Sequence, residues 1–196
     1  MNITSKIVSL CSAFLLVATA AIAQMAPSED VGPEVGTIID LDFAATDQTG
    51  ALQNFDDFVG EKGAVVVFYR SAKWCPWCQM QLIDLNTNAV KEIKARGYGL
   101  AAISYDKTRD LERFHRKWRV IFPLLSDEGS KMIDALGLRN PFYEEGHYAH
   151  GVPYPVVLVL DKDKKIVAKL MRESYRERPE TEVLLETLDK LSAASR

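Results

Sequence analysis

The run Ala64-Val65-Val66-Val67-Phe68-Tyr69 is continuous, apolar and rich in β-branched residues, the pattern of a strand covered on both faces. Leu100 to Ser104 and Val156 to Leu160 repeat it, so three such strands must form a central sheet sandwiched between helices. Helical periods fill the intervals. Pro76 suits a first helical position, and Leu82, Leu85, Ala89 and Ile93 recur at spacings of three and four until Gly97, which predicts one continuous helix. Further helices are predicted from Thr108 to Trp118, from Ser130 to Leu136 with Gly137 as its stop, and after Pro179, where Leu184, Leu188 and Leu191 face inward. Asp161-Lys162-Asp163-Lys164 should turn Val156–Leu160 into an antiparallel partner over Ile166–Met171. Thr37 to Phe43 and a partner before Phe55 read as a short hairpin interrupted by Asp47-Gln48-Thr49-Gly50.

The first residues have a different character. MNITSK carries one basic side chain, Ile7 to Ala23 is apolar apart from scattered Ser and Thr, and Ala21-Ile22-Ala23 places small residues at the −3 and −1 positions of a cut before Gln24. Residues 1–23 are therefore expected to be a secretory signal peptide, too short for the ~20 apolar residues of a spanning helix. Residues 24–34, with Pro27, Gly32 and Pro33, read as a flexible lead-in, and one domain follows over residues 35–196. A net charge of -3 supplies no field that would draw the surface to nucleic acid or to anionic lipid.

Cleavage would remove Cys11 and leave Cys75 and Cys78, spaced C-x-x-C, as the whole thiol inventory. A bridge across two intervening residues closes too short a loop to staple a fold, and a four-cysteine zinc site lacks its second pair. The pair is therefore read as redox-active. At a helix start the amide N–H groups have no intrahelical acceptor and the dipole is positive, so a Cys75 thiolate is stabilised; C-x-x-C thiols of this kind titrate at roughly 3.5 to 7 against ~8.5 for free cysteine. Arg70 and Lys73 are expected to add to that field. Cys75 is the expected nucleophile and Cys78, one helical turn on, the resolving thiol.

Strand, C-x-x-C at a helix start, alternating elements, hairpin and terminal helix together resemble the thioredoxin fold from about Val35 to the end. Trp74-Cys75-Pro76-Trp77-Cys78 is similar to the active-site turn of that superfamily, and Gly151-Val152-Pro153-Tyr154-Pro155-Val156 to its proline loop. Ile103-Ser104-Tyr105-Asp106 and Phe122-Pro123-Leu124-Leu125-Ser126-Asp127 resemble the peroxiredoxin-like branch (AhpC/TSA, redoxin). The resemblance implies an α/β thioredoxin-like fold, a central mixed sheet flanked by helices on both faces. It also implies a cis bond at Pro155 and a substrate surface made by Trp74, Pro76, Trp77, Tyr154 and Pro155, with the Tyr154 backbone open to strand addition. Two departures accompany it. Tyr69 stands where thioredoxins carry a buried acid, and Ala72 and Phe68 stand where typical peroxiredoxins carry threonine and proline around the peroxidatic cysteine.

The expectation is an exported thiol-disulfide oxidoreductase, with peroxidase activity as an added possibility of the branch. Its substrates would be protein or small-molecule disulfides, or a peroxide. No organic cofactor and no metal are expected. In a two-membrane bacterium the compartment is the periplasm, with electrons supplied by a membrane thiol reductase and no stable membrane insertion after cleavage. Two alternatives accompany it. One is a Sco-like copper metallochaperone using the cysteines with His147 or His150; the other is a redox-inactive binding module.

Overall fold

The computed structural model describes residues 31–172, 174 and 176–194. The expected signal peptide at 1–23, Cys11 and the first part of the lead-in lie outside the described residues. Seven strands form one sheet in the order β2-β1-β5-β4-β3-β6-β7. β3 (Gly63–Phe68) and β4 (Tyr98–Ser104) pair in parallel, and β5 (Leu124–Ser126) extends that parallel block beyond β4. β6 (Val156–Leu160) lies antiparallel to β3, and β7 (Ile166–Leu170) antiparallel to β6. The remaining edge is the hairpin of β1 (Ala45–Asp47) and β2 (Leu52–Gln53). The sheet is mixed, as the sequence predicts.

Alternation along β3 divides the core. Val65, Val67 and Tyr69 face one side, with α2 (Pro76–Asp84), α3 (Val90–Ala95), α4 (Thr108–Trp118) and α6 (Thr181–Ala194) packed over it. Ala64, Val66 and Phe68 face the other, under Phe55 and Phe58 of α1 (Phe55–Phe58) and Met132 and Ile133 of α5 (Lys131–Ala135). Every residue of β3 and β4 is buried, which is why these strands read as unbroken apolar runs.

Three local expectations are corrected. Thr37 to Phe43 is not a strand of the first hairpin. Phe43 takes φ 52, which ends any extended path there, and the preceding backbone docks on the β6–β7 turn instead through Ile166 N–H to Thr37 O (2.8 Å) and Ile39 N–H to Lys164 O (3.0 Å). The continuous helix over 76–96 is interrupted by a π-helical turn, Leu85–Ala89, between α2 and α3. Asn86, Thr87 and Asn88 are weak helix formers whose side chains compete for bonds: Thr87 Oγ1 donates to Ile83 O at 2.9 Å, and Asn86 Oδ1 accepts the Ile121 N–H at 2.8 Å. Gly97, at φ 84, then stops α3 where the sequence places the stop.

The third correction concerns Pro155. Every peptide bond among the described residues is trans. Backbone pairing holds the approach to β6 extended: Arg139 bridges Pro153, and the Tyr154 N–H donates to Leu138 O at 2.7 Å. Tyr154 therefore has no free donor for an added substrate strand.

Candidate active site

β3 delivers the chain to a turn over residues 69–74, and α2 begins immediately after it. Cys75 is the N-cap residue of α2 with extended backbone (φ -95, ψ 104), and Pro76 occupies the first helical position, where its missing N–H costs nothing. The cap side chain is the sulfur itself: Cys75 Sγ accepts the Cys78 N–H at 3.3 Å. The two cysteines form a disulfide with Cα atoms 5.3 Å apart. Both are buried, at 1% and 0% exposure, while Pro76 and Trp77 on the turn between them are open to solvent. An incoming group must therefore displace a neighbour to reach either sulfur.

The cation at the sulfurs is one that sequence spacing does not reveal. Arg178, from the segment joining β7 to α6, places Nη2 3.0 Å from Cys78 Sγ and 3.7 Å from Cys75 Sγ. Burial, with a smaller contribution from the charge of Arg70, pushes the Arg178 guanidinium down to about 10, so it still carries its proton at neutral pH. Each sulfur thus has a group ready for negative charge, an amide N–H at Cys75 and a guanidinium at Cys78. Of the two cations expected to add to the field at Cys75, Lys73 pairs with Asp110 at 3.4 Å. Arg70 donates to the Tyr143 hydroxyl (2.6 Å) and lies against the Trp74 ring, and its charge is still felt by Arg178. In the sequence Arg178 is marked by no more than a cluster of charges, Arg172 to Arg178.

Trp74 is fixed from several sides. Its Nε1–H donates to the Tyr105 hydroxyl at 2.9 Å, which donates in turn to Tyr148 O at 2.8 Å, and its ring meets Tyr148 edge-on at 5.2 Å. Trp74 and Tyr148 line a cleft of about 570 Å³ together with Lys107, Ser130 and Arg139. A smaller groove of about 250 Å³ is lined by Trp77 and Met80 of α2 together with Arg178 and Pro179. Of the expected substrate residues, Trp74, Pro76 and Trp77 thus surround the disulfide. Tyr154 is half-buried and Pro155 buried.

Tyr69, at the position of the acid found in thioredoxins, is fully buried; burial first and the Asp106 charge second push its phenol well above its usual range, so it stays neutral. The two candidate copper histidines are engaged elsewhere. His150 uses Nδ1 with Tyr143 O (2.9 Å) and Nε2 with Arg139 Nη1 (3.1 Å), and His147 Nδ1 accepts the Ala149 N–H at 3.0 Å. Among the described residues no group of three His, Cys, Asp or Glu side chains is placed to hold a metal ion, and no helix is long and apolar enough to cross a membrane.

The sequence matches the AhpC/TSA family over residues 38–169. It is 32% identical over 124 residues to the peroxiredoxin Bcp of Escherichia coli K12, covering 63% of this chain and 77% of that one. It is 28% identical over 139 residues to the thiol-disulfide oxidoreductase ResA of Bacillus cereus, covering 70% of each. Among solved structures, the peroxidoxin BcpB of Mycobacterium tuberculosis superposes with a TM-score of 0.65 at 24% identity, over 82% of this chain and 97% of that one. Peroxiredoxin 6 of Arenicola marina does so at 0.72 and 18%, over 84% and 76%. These neighbours share the thioredoxin fold. On the match that runs through its sheet and its disulfide turn, this chain belongs to the AhpC/TSA family and is an oxidoreductase of the thiol-disulfide and peroxiredoxin-like kind.

Proposed function

We propose that this protein carries out thiol-disulfide exchange with Cys75 as nucleophile and Cys78 as resolving thiol. The observation that carries the reading is the paired arrangement of the sulfurs, Cys75 as helix cap under an amide and Cys78 under the Arg178 guanidinium. In the reduced protein a Cys75 thiolate attacks one sulfur of a substrate disulfide. A bond forms between Cys75 and that sulfur, and the other substrate sulfur leaves as a thiolate. Cys78, deprotonated beside Arg178, then attacks Cys75 Sγ, closes the intramolecular disulfide and releases the second substrate thiolate. The substrate gains two electrons and the protein loses two.

The same pair serves a hydroperoxide, a second reading favoured by the 32% identity to a peroxiredoxin. Cys75 takes the terminal oxygen and becomes a sulfenic acid as the alkoxide leaves and is protonated. Cys78 then displaces water to form the disulfide. Either cycle needs a dithiol donor to reopen the Cys75–Cys78 bond. Residues 1–23 would direct the chain across a membrane, with the periplasm as its compartment in a two-membrane bacterium and a membrane thiol reductase as the donor.

Turnover of a small-molecule disulfide and of an alkyl hydroperoxide, each with dithiothreitol as donor, tests the reading. Cys75→Ser should abolish both, and Cys78→Ser should stall with substrate attached to Cys75, visible by mass spectrometry. Undiminished turnover in Cys75→Ser sinks the assignment. N-terminal sequencing of protein recovered from the periplasm should begin at Gln24 if the leader is cut as proposed.

A further inference from the structure

The turn ahead of the nucleophile carries three backbone N–H groups, on Ala72, Lys73 and Trp74, that no strand or helix satisfies. One is bonded directly to a carboxylate, and the other two reach it through a serine hydroxyl. Asp106 follows β4 and is 5% exposed. Its Oδ2 accepts the Ala72 N–H at 2.6 Å, and its Oδ1 accepts the Ser71 hydroxyl at 2.7 Å. Ser71 Oγ in turn accepts the N–H groups of Lys73 at 3.0 Å and Trp74 at 3.3 Å. Ser104 completes the shell by donating its hydroxyl to Oδ2 at 3.1 Å. The carbonyls of the same turn are tied as well, since Gln79 Nε2 donates to Ala72 O at 2.8 Å. The peptide planes that aim Cys75 are thus held by hydrogen bonds originating at Asp106.

A buried carboxylate is an expensive brace, because burying the charge opposes its ionisation. Burial raises the Asp106 carboxyl above its ordinary range, the hydrogen bonds from Ser71, Ala72 and Ser104 oppose that rise, and the charge of Asp110 adds to it. The other groups in its field are Tyr69 just after β3, Tyr105 beside it, and Lys73 and Arg113, which pair with Asp110 at 3.4 and 3.1 Å. Lys107, the next residue, pairs with Glu128.

We propose that Asp106 is the positioning residue of the redox centre: acting through Ser71 and the amides of residues 72–74, it fixes Cys75 at the start of α2, and it releases that hold when it takes up a proton. This rests on Cys75 being the nucleophile. A carboxylate has acceptor sites for all its donors, whereas a carboxylic acid commits one oxygen as a donor and leaves a buried N–H or hydroxyl opposed. Ionisation therefore costs stability and supplies position. A folded-state carboxyl with a raised pKa contributes stability that is complete below the unfolded pKa and lost as pH rises through the folded one. Asp106→Asn, which replaces one acceptor oxygen by an NH2 donor, is thus expected to slow Cys75.

The test is the rate of iodoacetamide alkylation of Cys75 against pH, measured on the full chain with Cys78→Ser as parent. The parent should show two ionisations, one from the thiol and one from a carboxyl above its ordinary range. Adding Asp106→Asn should remove the second and lower the plateau about tenfold, the scale of one lost charged hydrogen bond. Ser71→Ala keeps the carboxylate and cuts only the relay, so it should lower the plateau and keep both ionisations. If Asp106→Asn fails to fold, Ser71→Ala decides, and an unchanged plateau overturns the proposal. A reactive parent whose profile survives Asp106→Asn overturns the brace alone. A parent Cys75 no more reactive than free cysteine overturns the nucleophile assignment with it.

Discussion

The two sulfurs are served by regions of opposite construction. Cys75 is aimed by a turn wedged between β3, β4 and α2, whose amides and carbonyls are taken up by Asp106, Ser71 and Gln79 from within the core. Cys78 is served by the charge of Arg178, which lies between β7 and α6. Among the described residues, the Thr181 hydroxyl bonds the Asp84 carboxylate of α2, and Arg172 pairs with Glu180 at 3.8 Å between the two ends of that stretch. Geometry here comes from the sheet, and charge arrives on a side chain delivered from outside it. Position must be held to fractions of an ångström and needs rigid supports, whereas a guanidinium charge acts over several ångströms and tolerates a looser carrier.

Arg178→Gln is the strongest way to break this division. It removes the charge, keeps much of the length, and leaves the turn of Cys75 untouched. Turnover should fall by about ten- to a hundredfold, the value of a charge-assisted hydrogen bond at a partly buried site. The thiols of the reduced pair should titrate higher, because a cation beside a thiolate favours the ionised form and its loss moves the pKa up. Stability should change little, since burying this cation opposes its protonation rather than favouring it. If ultraviolet titration of the thiolates is the same in Arg178→Gln and the parent, the guanidinium plays no electrostatic part and the comparison fails.

A smaller effect is expected from the wall beside Cys75. Trp74→Phe removes the indole N–H that Tyr105 accepts and weakens the chain of bonds running on to Tyr148. The turn itself is still held by Asp106, so alkylation of Cys75 should slow by no more than about threefold, within the loss of one neutral hydrogen bond. The segment 141–151 should instead become easier to cut, and limited proteolysis followed by mass mapping will show it. A large loss of Cys75 reactivity without new cleavage would mean that Trp74, rather than the Asp106 network, aims the nucleophile.

The same contrast explains what the sequence discloses. The strands of the covered sheet, Cys75 as the opener of a helix and α4 are legible because each depends on local pattern: an unbroken apolar run, a proline at a first helical position, a 3.6-residue period. Arg178 is invisible to that kind of reading because its partners lie 100 and 103 residues away, and nothing in the run of charges from Arg172 distinguishes one arginine from another. Asp106 was legible as part of a family string but not as a brace, since its hydrogen bonds depend on β4 lying beside β3. Thr37–Phe43 reads as a hairpin strand because the turn signal after it does not show that Phe43 adopts a left-handed backbone. The π turn at Leu85–Ala89 escaped for a related reason. Its apolar spacing also fits an ordinary helix, and the wider turn lies in the backbone pairing, which that spacing does not report.

The finest probe of the comparison is the tether of the arm. Thr181→Val keeps the shape and burial of the side chain and deletes the hydroxyl that bonds Asp84. A direct structural contribution would be small, about 1 kcal/mol for a part-buried hydrogen bond, and would appear as a slight fall in the urea midpoint at unchanged slope. If the tether also keeps Arg178 over Cys78, the variant should reproduce a fraction of the Arg178→Gln phenotype, with the thiols titrating slightly higher and turnover reduced by less than about threefold at the same hydrogen-bond scale. In the double variant the second substitution should then add almost nothing to turnover, because a tether has no effect on a charge that is already absent. Full additivity in that cycle would show that Thr181 and Arg178 act on separate processes, and that the arm holds its guanidinium in place without help from α6.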